Sequence, residues 1–482
     1  MPAVRRTFSS LKIRNYRLYF FAQMISLSGT WMQGVAQAWL VLKITGSGTA
    51  LGLVTALQFL PVLLFGPVGG LIADRFPKRR IIYGTQITAG VLALVLGLIV
   101  AFDVERLWMV YALAAALGFV NCVDNPTRQT FVLEMVGADE LTNAVTLNSV
   151  MVNLARVVGP AVAGVLIATT GIATCFLINA ASYLAVLAGL AMMRTSELQP
   201  TPPQPRKKGQ LRDGFRYVRR TPELLSPLIM MAVIGTLAYE FQVILPLVAR
   251  YTFHGGAGTY GVMSSCMGGG AVAGGLFTAS RRRGSATGLA RSAMLFGLVI
   301  LAAAVAPTLG TELAALVGIG ATSIAFLAVG NTTLQLATSP EMRGRVMALW
   351  AVAFLGSTPV GGPIIGWIGQ NIGPRYGLAV GGTAALLSGA LGYRSLSRIQ
   401  VRADTKASAD LAAYQPDRAA VVGGPEPGAT PAAAAYEIGD RGEVSELIRA
   451  GSASPERPER PEPEAEADSS RRAPGSSPRP PR

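Results

Sequence analysis

Apolar stretches long enough to cross a bilayer alternate with short polar breaks along most of the chain. A helix needs about 20 mostly apolar residues to span the hydrocarbon core. The alternation predicts twelve such spans, at residues 16–42, 50–73, 81–102, 107–123, 141–169, 172–193, 225–249, 258–278, 289–305, 309–327, 346–368 and 376–396. The first apolar run is of span length, not the short segment of a cleaved leader, and is expected to remain as the first helix.

The polar breaks supply the topology. Arg5, Arg6, Lys12, Arg14 and Arg17 precede the first span, and Arg75, Lys78, Arg79 and Arg80 follow the second. Arg206, Lys207, Lys208, Arg212, Arg216, Arg219 and Arg220 lie between spans 6 and 7; Arg281, Arg282 and Arg283 follow span 8, and Arg343 and Arg345 precede span 11. The alternate breaks hold few bases: Lys43, Arg106, Arg250 and Arg375. Lys and Arg concentrate in cytoplasmic loops, so both termini are expected in the cytoplasm, with the chain crossing the inner cell membrane many times.

Composition agrees with this reading. Hydrophobic residues make up 51% of the 482 residues and charged ones 14%, and the mean hydropathy is +0.42. A soluble domain carries about 25% charged residues. The formal charge of +15 resolves into +17 over residues 1–397 and −2 over 398–482. The bases sit in short breaks between apolar spans rather than on an aromatic-studded polar surface, which excludes nucleic acid as the expected partner. Cys122, Cys175 and Cys266 are far apart and inside apolar stretches, with no metal or disulfide spacing.

The two ends of the apolar region echo each other. Gly69-Gly-Leu71 recurs at Gly274-Gly-Leu276, an offset of 205. Asn125-Pro-Thr-Arg-Gln129 is echoed by Asn331-Thr-Thr-Leu-Gln335 at 206, and Gly159-Pro160 by Gly362-Pro363 at 203. Three matches in order at nearly constant offset predict a parallel repeat of two six-helix halves. The expected organisation is an N-terminal half at 1–194, a cytoplasmic connector at 195–223, a C-terminal half at 224–397 and a cytoplasmic tail at 398–482. That tail is rich in Ala, Pro, Glu, Arg and Ser, too poor in apolar residues to offset its ordering entropy, and is expected to be disordered, with a short helix possible at 437–450.

Several segments carry a family likeness. These are Leu40-Val-Leu-Lys-Ile-Thr-Gly-Ser-Gly-Thr-Ala50, the Gly69–Arg80 loop, Asn125–Gln129, Asn143-Ala-Val-Thr-Leu-Asn-Ser149 and Met342-Arg-Gly-Arg-Val-Met-Ala-Leu349. Together they resemble a drug:proton antiporter-type member of the major facilitator superfamily, more narrowly the secretion-effector branch that includes enterobactin and macrolide exporters. The resemblance implies an all-α polytopic membrane protein that exports an amphipathic small molecule against proton entry by alternating access. Uptake on the same fold, or a non-transporting sensor or scaffold that uses the tail, are the alternatives.

Candidate residues follow from the motifs. In the loop after span 2, Gly70 allows close helix contact, while Asp74, Arg75 and Arg79 sit at the membrane edge. In the family the acid of this loop meets the N-terminal end of the eleventh helix and latches one conformation, and an anion is favoured there by roughly 0.3–1 kcal/mol. Pro77 replaces the usual second glycine, and Ala279 stands where the second half would repeat Asp74. In span 5, Gly159, Pro160 and Gly164 resemble the antiporter motif and permit a kink and close packing.

Polar residues at depth complete the set. Arg156 is expected to face the protein interior, since a charge at the bilayer centre costs roughly 2.5–3.5 kcal/mol on insertion scales. Glu240 is the acid expected near mid-span, and it is the first candidate for proton coupling: a carboxyl in a partly dry cavity can take up and release a proton as access alternates. Arg156 is expected to take part in that coupling; a plain structural ion pair between the two is the alternative. Asp124, the second candidate, is expected at the cytoplasmic end of span 4, where capping the next turn is the plainer role, with Arg128 and Glu134 in the same network. Gln33, Gln37, Asn121, Tyr239 and Gln242 suit a cavity for an amphipathic ligand. His254, the sole histidine, is expected in an outer loop.

The chain has no GxxxxGK[ST] phosphate loop, no catalytic triad and no acid cluster of metal spacing. It reads as a transporter and not an enzyme, needing no cofactor or metal. The lipid bilayer, a small-molecule substrate and protons are its expected partners, and a monomer its working unit.

Overall fold

The computed structural model describes residues 8–199, 210–280, 286–339 and 341–413. Among these the chain is helical throughout. After a single 3-10 turn at Ser9–Lys12 come α1 (Arg14–Thr45), α2 (Gly48–Arg75) and α3 (Lys78–Ala101). The helical stretch Leu107–Thr169 is two helices meeting at Gly137, whose φ of 73° breaks the ladder: α4 at 107–136 and α5 at 138–169. Then follow α6 (Ile172–Ala191), α7 (Gln210–Arg220), α8 (Pro222–Ala238) and α9 (Phe241–Leu247), with a π-turn at Val248–Thr252. The rest are α10 (Ala257–Ser280), α11 (Ala286–Ala304), α12 (Leu309–Ala337), α13 (Arg343–Leu355), α14 (Thr358–Asn371) and α15 (Pro374–Ala413).

Read with α8–α9 and α13–α14 as two broken spans, the described residues form twelve membrane helices plus the connector helix α7. Eight helical stretches among them are apolar and long enough to cross a membrane on composition alone. Each of the twelve expected apolar spans thus falls on one of these helices or broken pairs.

The boundaries differ where polar residues sit inside helices. Span 4 was expected to stop at residue 123, but α4 runs on to 136, so Asp124-Asn-Pro-Thr-Arg128 is helix interior rather than loop. Span 10 likewise extends to Ala337 and carries Asn331 and Gln335 within it, joined by a 2.5 Å hydrogen bond. Spans 7 and 11 are each split, at Tyr239–Glu240 and at Gly356–Ser357. The last helix continues to Ala413, past the start expected for a disordered tail at 398. The remainder of that tail, with the helix expected at 437–450, lies outside the described residues.

Local chemistry sets the helix ends. Gly46, at φ 63°, closes α1 with its N–H on the Leu42 carbonyl; Ser47 then caps α2 by accepting from the Ala50 N–H. Thr308 and Thr311 form a capping box that opens α12. At the opposite end of the bundle, Arg79 donates twice to the last-turn carbonyl of Leu190 in α6, at 3.0 and 2.7 Å. A cation at a helix C-terminus is the favoured arrangement.

Helices α1–α6 pack among themselves, as do α8–α15. Two main crossings join the groups, α5 on α10 and α2 on α14, with lesser contacts of α1 and α2 on α9. Both are seams of small residues. A Cβ at Gly261 would lie 2.6 Å from the Pro160 carbonyl, and one at Gly48 would meet the Gly366 backbone. Hydrogen bonds reinforce this end: Arg250 Nη1 to the Leu42 carbonyl at 2.5 Å, Tyr251 Oη to the Gly46 carbonyl at 2.7 Å, and Ser47 Oγ to Gln370 Oε1 at 2.6 Å. Large apolar side chains such as Leu184, Val165 and Leu391 are exposed on the bundle's outer faces, where lipid would cover them.

Candidate functional site

A crevice lies where the two groups of helices meet, walled by α1, α5, α9 and α10. Arg156 of α5 projects into it with its guanidinium carbon 4.9 Å from the centre of the Trp31 ring of α1. That is cation–π distance. Gln242 enters from α9 and is exposed; Tyr260, Ser264 and Met267 enter from α10. The sequence pointed to Arg156 and Gln242. It did not point to the α10 residues, because a Tyr, Ser or Met in an apolar span looks the same whether it faces lipid, core or crevice.

Arg156 and Glu240 are not brought together. No ion pair joins them, and Arg156 Nε is buried without a hydrogen-bond partner. The break in span 7 turns Glu240 the other way. Its carboxylate rests against the first turn of α14, beside Thr358, with Oε1 3.0 Å from where a Cβ on Gly361 would sit. Oε1 has no hydrogen-bond partner and the residue is 4% exposed. A Cβ at 361 would run first into the Thr236 carbonyl, so glycine there lets α8 and α14 approach beside Glu240. The adjoining Gly362 is also the residue on which Gly52 of α2 packs, so Glu240 touches the α2–α14 seam directly.

Asp124 occupies a second polar pocket, inside the α1–α6 group. It accepts from Thr85 Oγ1 at 2.5 Å and Gln86 Nε2 at 3.1 Å, both on α3, and pairs with Arg128 at 2.7 Å one turn along α4. Ser26, Thr30, Gln58, Asn121 and Tyr183 line the same pocket. The expectation that Asp124 caps a turn at the end of span 4 is therefore wrong. It is buried in mid-helix, about 26 Å of helical rise from the start of α4.

The remaining candidates scatter. Gln33 accepts from Asn179 Nδ2 of α6 at 2.6 Å and is buried, as is Gln37. Tyr239 donates to the Ser323 carbonyl at 2.7 Å and packs among Phe241, Phe296 and Phe354, which makes it part of an aromatic core. Asn121 belongs to the Asp124 pocket rather than the central crevice. Gly159 packs on α1 at Ser28–Met32, and Pro160 and Gly164 form the seam with α10. The segment expected as a loop is helix to Arg75: in these last turns of α2, Gly69 packs against the backbone of Cys122, Gly70 is buried, Asp74 half-buried and Arg75 exposed. His254 is exposed in the loop before α10.

One buried ion pair escaped the sequence altogether. Lys78 Nζ, at the start of α3, lies 2.6 Å from Glu134 Oε1 near the end of α4. Among the described residues no group of three His, Cys, Asp or Glu side chains is placed to hold a metal.

The sequence matches the family model for the transmembrane secretion effectors over residues 5–451. The chain belongs to that family, a branch of the major facilitator superfamily. It is 26% identical to the enterobactin exporter EntS of Citrobacter koseri over 389 residues, 78% of this chain and 90% of that protein. It is 26% identical to the staphyloferrin A transporter of Staphylococcus aureus over 259 residues, 53% of this chain and 65% of that protein. In three dimensions it resembles an inward-facing bacterial homolog of the human lysosomal transporter Spinster, with a TM-score of 0.63 at 16% identity over 80% of this chain and 98% of the other. It also resembles the nucleoside transporter NupG, with a TM-score of 0.59 at 15% identity over 81% and 98%. This secretion effector is a multi-pass membrane transporter and not an enzyme.

Proposed function

We propose that this secretion effector exports an amphipathic small molecule across the inner cell membrane in exchange for protons, alternating access between two six-helix halves. The observation that carries the reading is the crevice itself. It is walled by both groups of helices, which the glycine seams and the hydrogen bonds at the Gly46 end join. Relatives named as exporters of enterobactin support the outward direction. The basic breaks support cytoplasmic termini, so that the seamed end faces outward.

Glu240 is the coupling carboxyl in this reading. Its buried carboxyl lies at the start of α14, beside Thr358 and against Gly361 and Gly362. Protonation changes the charge of a group that packs against the α2–α14 seam. Proton occupancy thereby biases whether the seam stays closed. Asp124 is a second proton candidate in its own pocket, and Asp74 acts as the latch at the opposite end of α2. A monomer contains every part required.

Accumulation of dyes, macrolides and siderophores in efflux-deficient cells, with and without a protonophore, tests this. Lower accumulation that the protonophore reverses is expected. Glu240→Gln should leave binding intact while abolishing the response of efflux to an imposed pH gradient; an unchanged response removes Glu240 from the coupling.

A further inference from the structure

The central crevice contains one full charge, and it is positive. Arg156 is the only ionisable group of fixed charge on its walls among the described residues; Trp31, Gln242, Tyr260, Ser264 and Met267 are neutral. The walls themselves supply no acid: Asp139 and Glu140 of α5 lie in its first turn, more than about four turns from Arg156, where Glu140 accepts from Ser9 and Ser10. Glu240, nearest in sequence to the α9 wall, faces α14 instead, and Asp124 is committed to Arg128, Thr85 and Gln86. Arg156 Nε is buried and without a hydrogen-bond partner.

A cation at membrane depth is normally paired, because its hydration is lost and something must replace it. The face of Trp31 replaces part of it. The planar fork of hydrogen donors is left to a ligand, and guanidinium geometry matches a two-oxygen anion. Around that fork the walls are mixed: Gln242, Tyr260 and Ser264 offer hydrogen bonds, while Trp31 and Met267 offer an apolar face.

We propose that the cargo is an anion: a small amphipathic molecule whose carboxylate, or a like oxyanion, is held in two-point contact by Arg156 while its apolar body lies against Trp31 and Met267. This rests on the reading of the crevice as the transport site and gives it a substrate class. The position also gives cargo a route to the seam. Gly268 packs on the backbone carbonyl of Arg156, and Ser265 Oγ donates to the Val157 carbonyl at 2.9 Å, so the anion site and the α5–α10 contact share one helix turn.

The same oxyanion chemistry is present in an anionic lipid headgroup, and the test separates the two sources. Binding of dansylglycine and of its neutral amide is measured by fluorescence anisotropy on the purified full chain in phosphatidylcholine nanodiscs. Wild type should prefer the carboxylate by about tenfold or more, the margin of a charge-assisted pair over a neutral contact. Arg156→Gln should bind both probes equally, and Arg156→Lys, which keeps the charge but not the fork, should fall between. Equal affinity of wild type for the two probes, binding of neither, or a preference that survives in R156Q each overturns the assignment. Adding phosphatidylglycerol to the discs should leave carboxylate binding unchanged; competition by that lipid assigns the site to a headgroup and overturns the cargo reading. Protonophore-sensitive efflux of neutral dyes with no carboxylate preference would overturn the anion site alone. Intact carboxylate preference with no efflux of any probe would overturn the transport reading alone.

Discussion

Lys78 and Glu134 form a 2.6 Å ion pair that is about nine-tenths buried and ties the first turn of α3 to the last turns of α4. Removing one member of such a pair leaves the other charge in a low-dielectric site, which costs about 3–5 kcal/mol. Lys78→Met should therefore lower the thermal unfolding midpoint markedly in detergent, while Lys78→Arg, which keeps the charge, should cost far less.

Asp124 and Arg128 behave as one unit. Asp124→Asn retains the size of the side chain and part of its bonding to Thr85 and Gln86, but leaves Arg128 without its counter-charge. Adding Arg128→Gln to Asp124→Asn should recover stability relative to the sum of the two single changes. A coupling energy on the order of 0.5–3 kcal/mol is expected for residues in contact. Additive costs, measured by denaturant unfolding, would show that the pair is not coupled.

The α2–α14 seam admits no side chain at Gly52, where a Cβ would run into the backbone of Gly362. Gly52→Leu should fold, because the contact lies between the two groups of helices and not within either, but it should hold the Gly46 end open. Spin labels at positions 47 and 370, whose side chains are hydrogen bonded here at 2.6 Å, should move apart, and efflux should be lost. An unchanged label distance would show that the seam tolerates bulk.

Asp74 should matter to turnover rather than to binding. In the proposed role of latch it stabilises one conformation without touching cargo. Asp74→Asn should slow efflux while leaving probe affinity within about twofold, since a group far from the crevice shares no contact with ligand. Lost affinity with normal turnover of what remains bound would contradict the latch.

Much of this architecture was legible because the bilayer imposes a coarse rule. Twenty apolar residues must pair their backbone within one helix, so the spans and their order emerge from hydropathy. The small-residue motif at Gly159–Gly164 likewise foretold close packing, and the structure puts Pro160 and Gly164 in one seam; Gly362, read only as part of the repeat, lies in the other. Span ends were misplaced wherever polar residues continue a helix inside the bundle. The run from Asp124 to Arg128 looks like a loop, yet Thr85, Gln86 and the pairing of Asp124 with Arg128 satisfy its carboxylate in place.

Hydropathy and charge counted along the chain settle what the membrane as solvent demands: which segments cross, in what order, and that Arg156 and Glu240 must turn away from lipid. They do not say toward what. Arg156 and Glu240 lie at similar depth in their spans, and depth alone allows them to meet. The break at Tyr239–Glu240 rotates the carboxylate onto the glycines of α14, and the guanidinium is left over Trp31. Which polar group faces which is set by helix rotation and by the close approach that glycine permits between segments hundreds of residues apart, and that information belongs to the packed bundle.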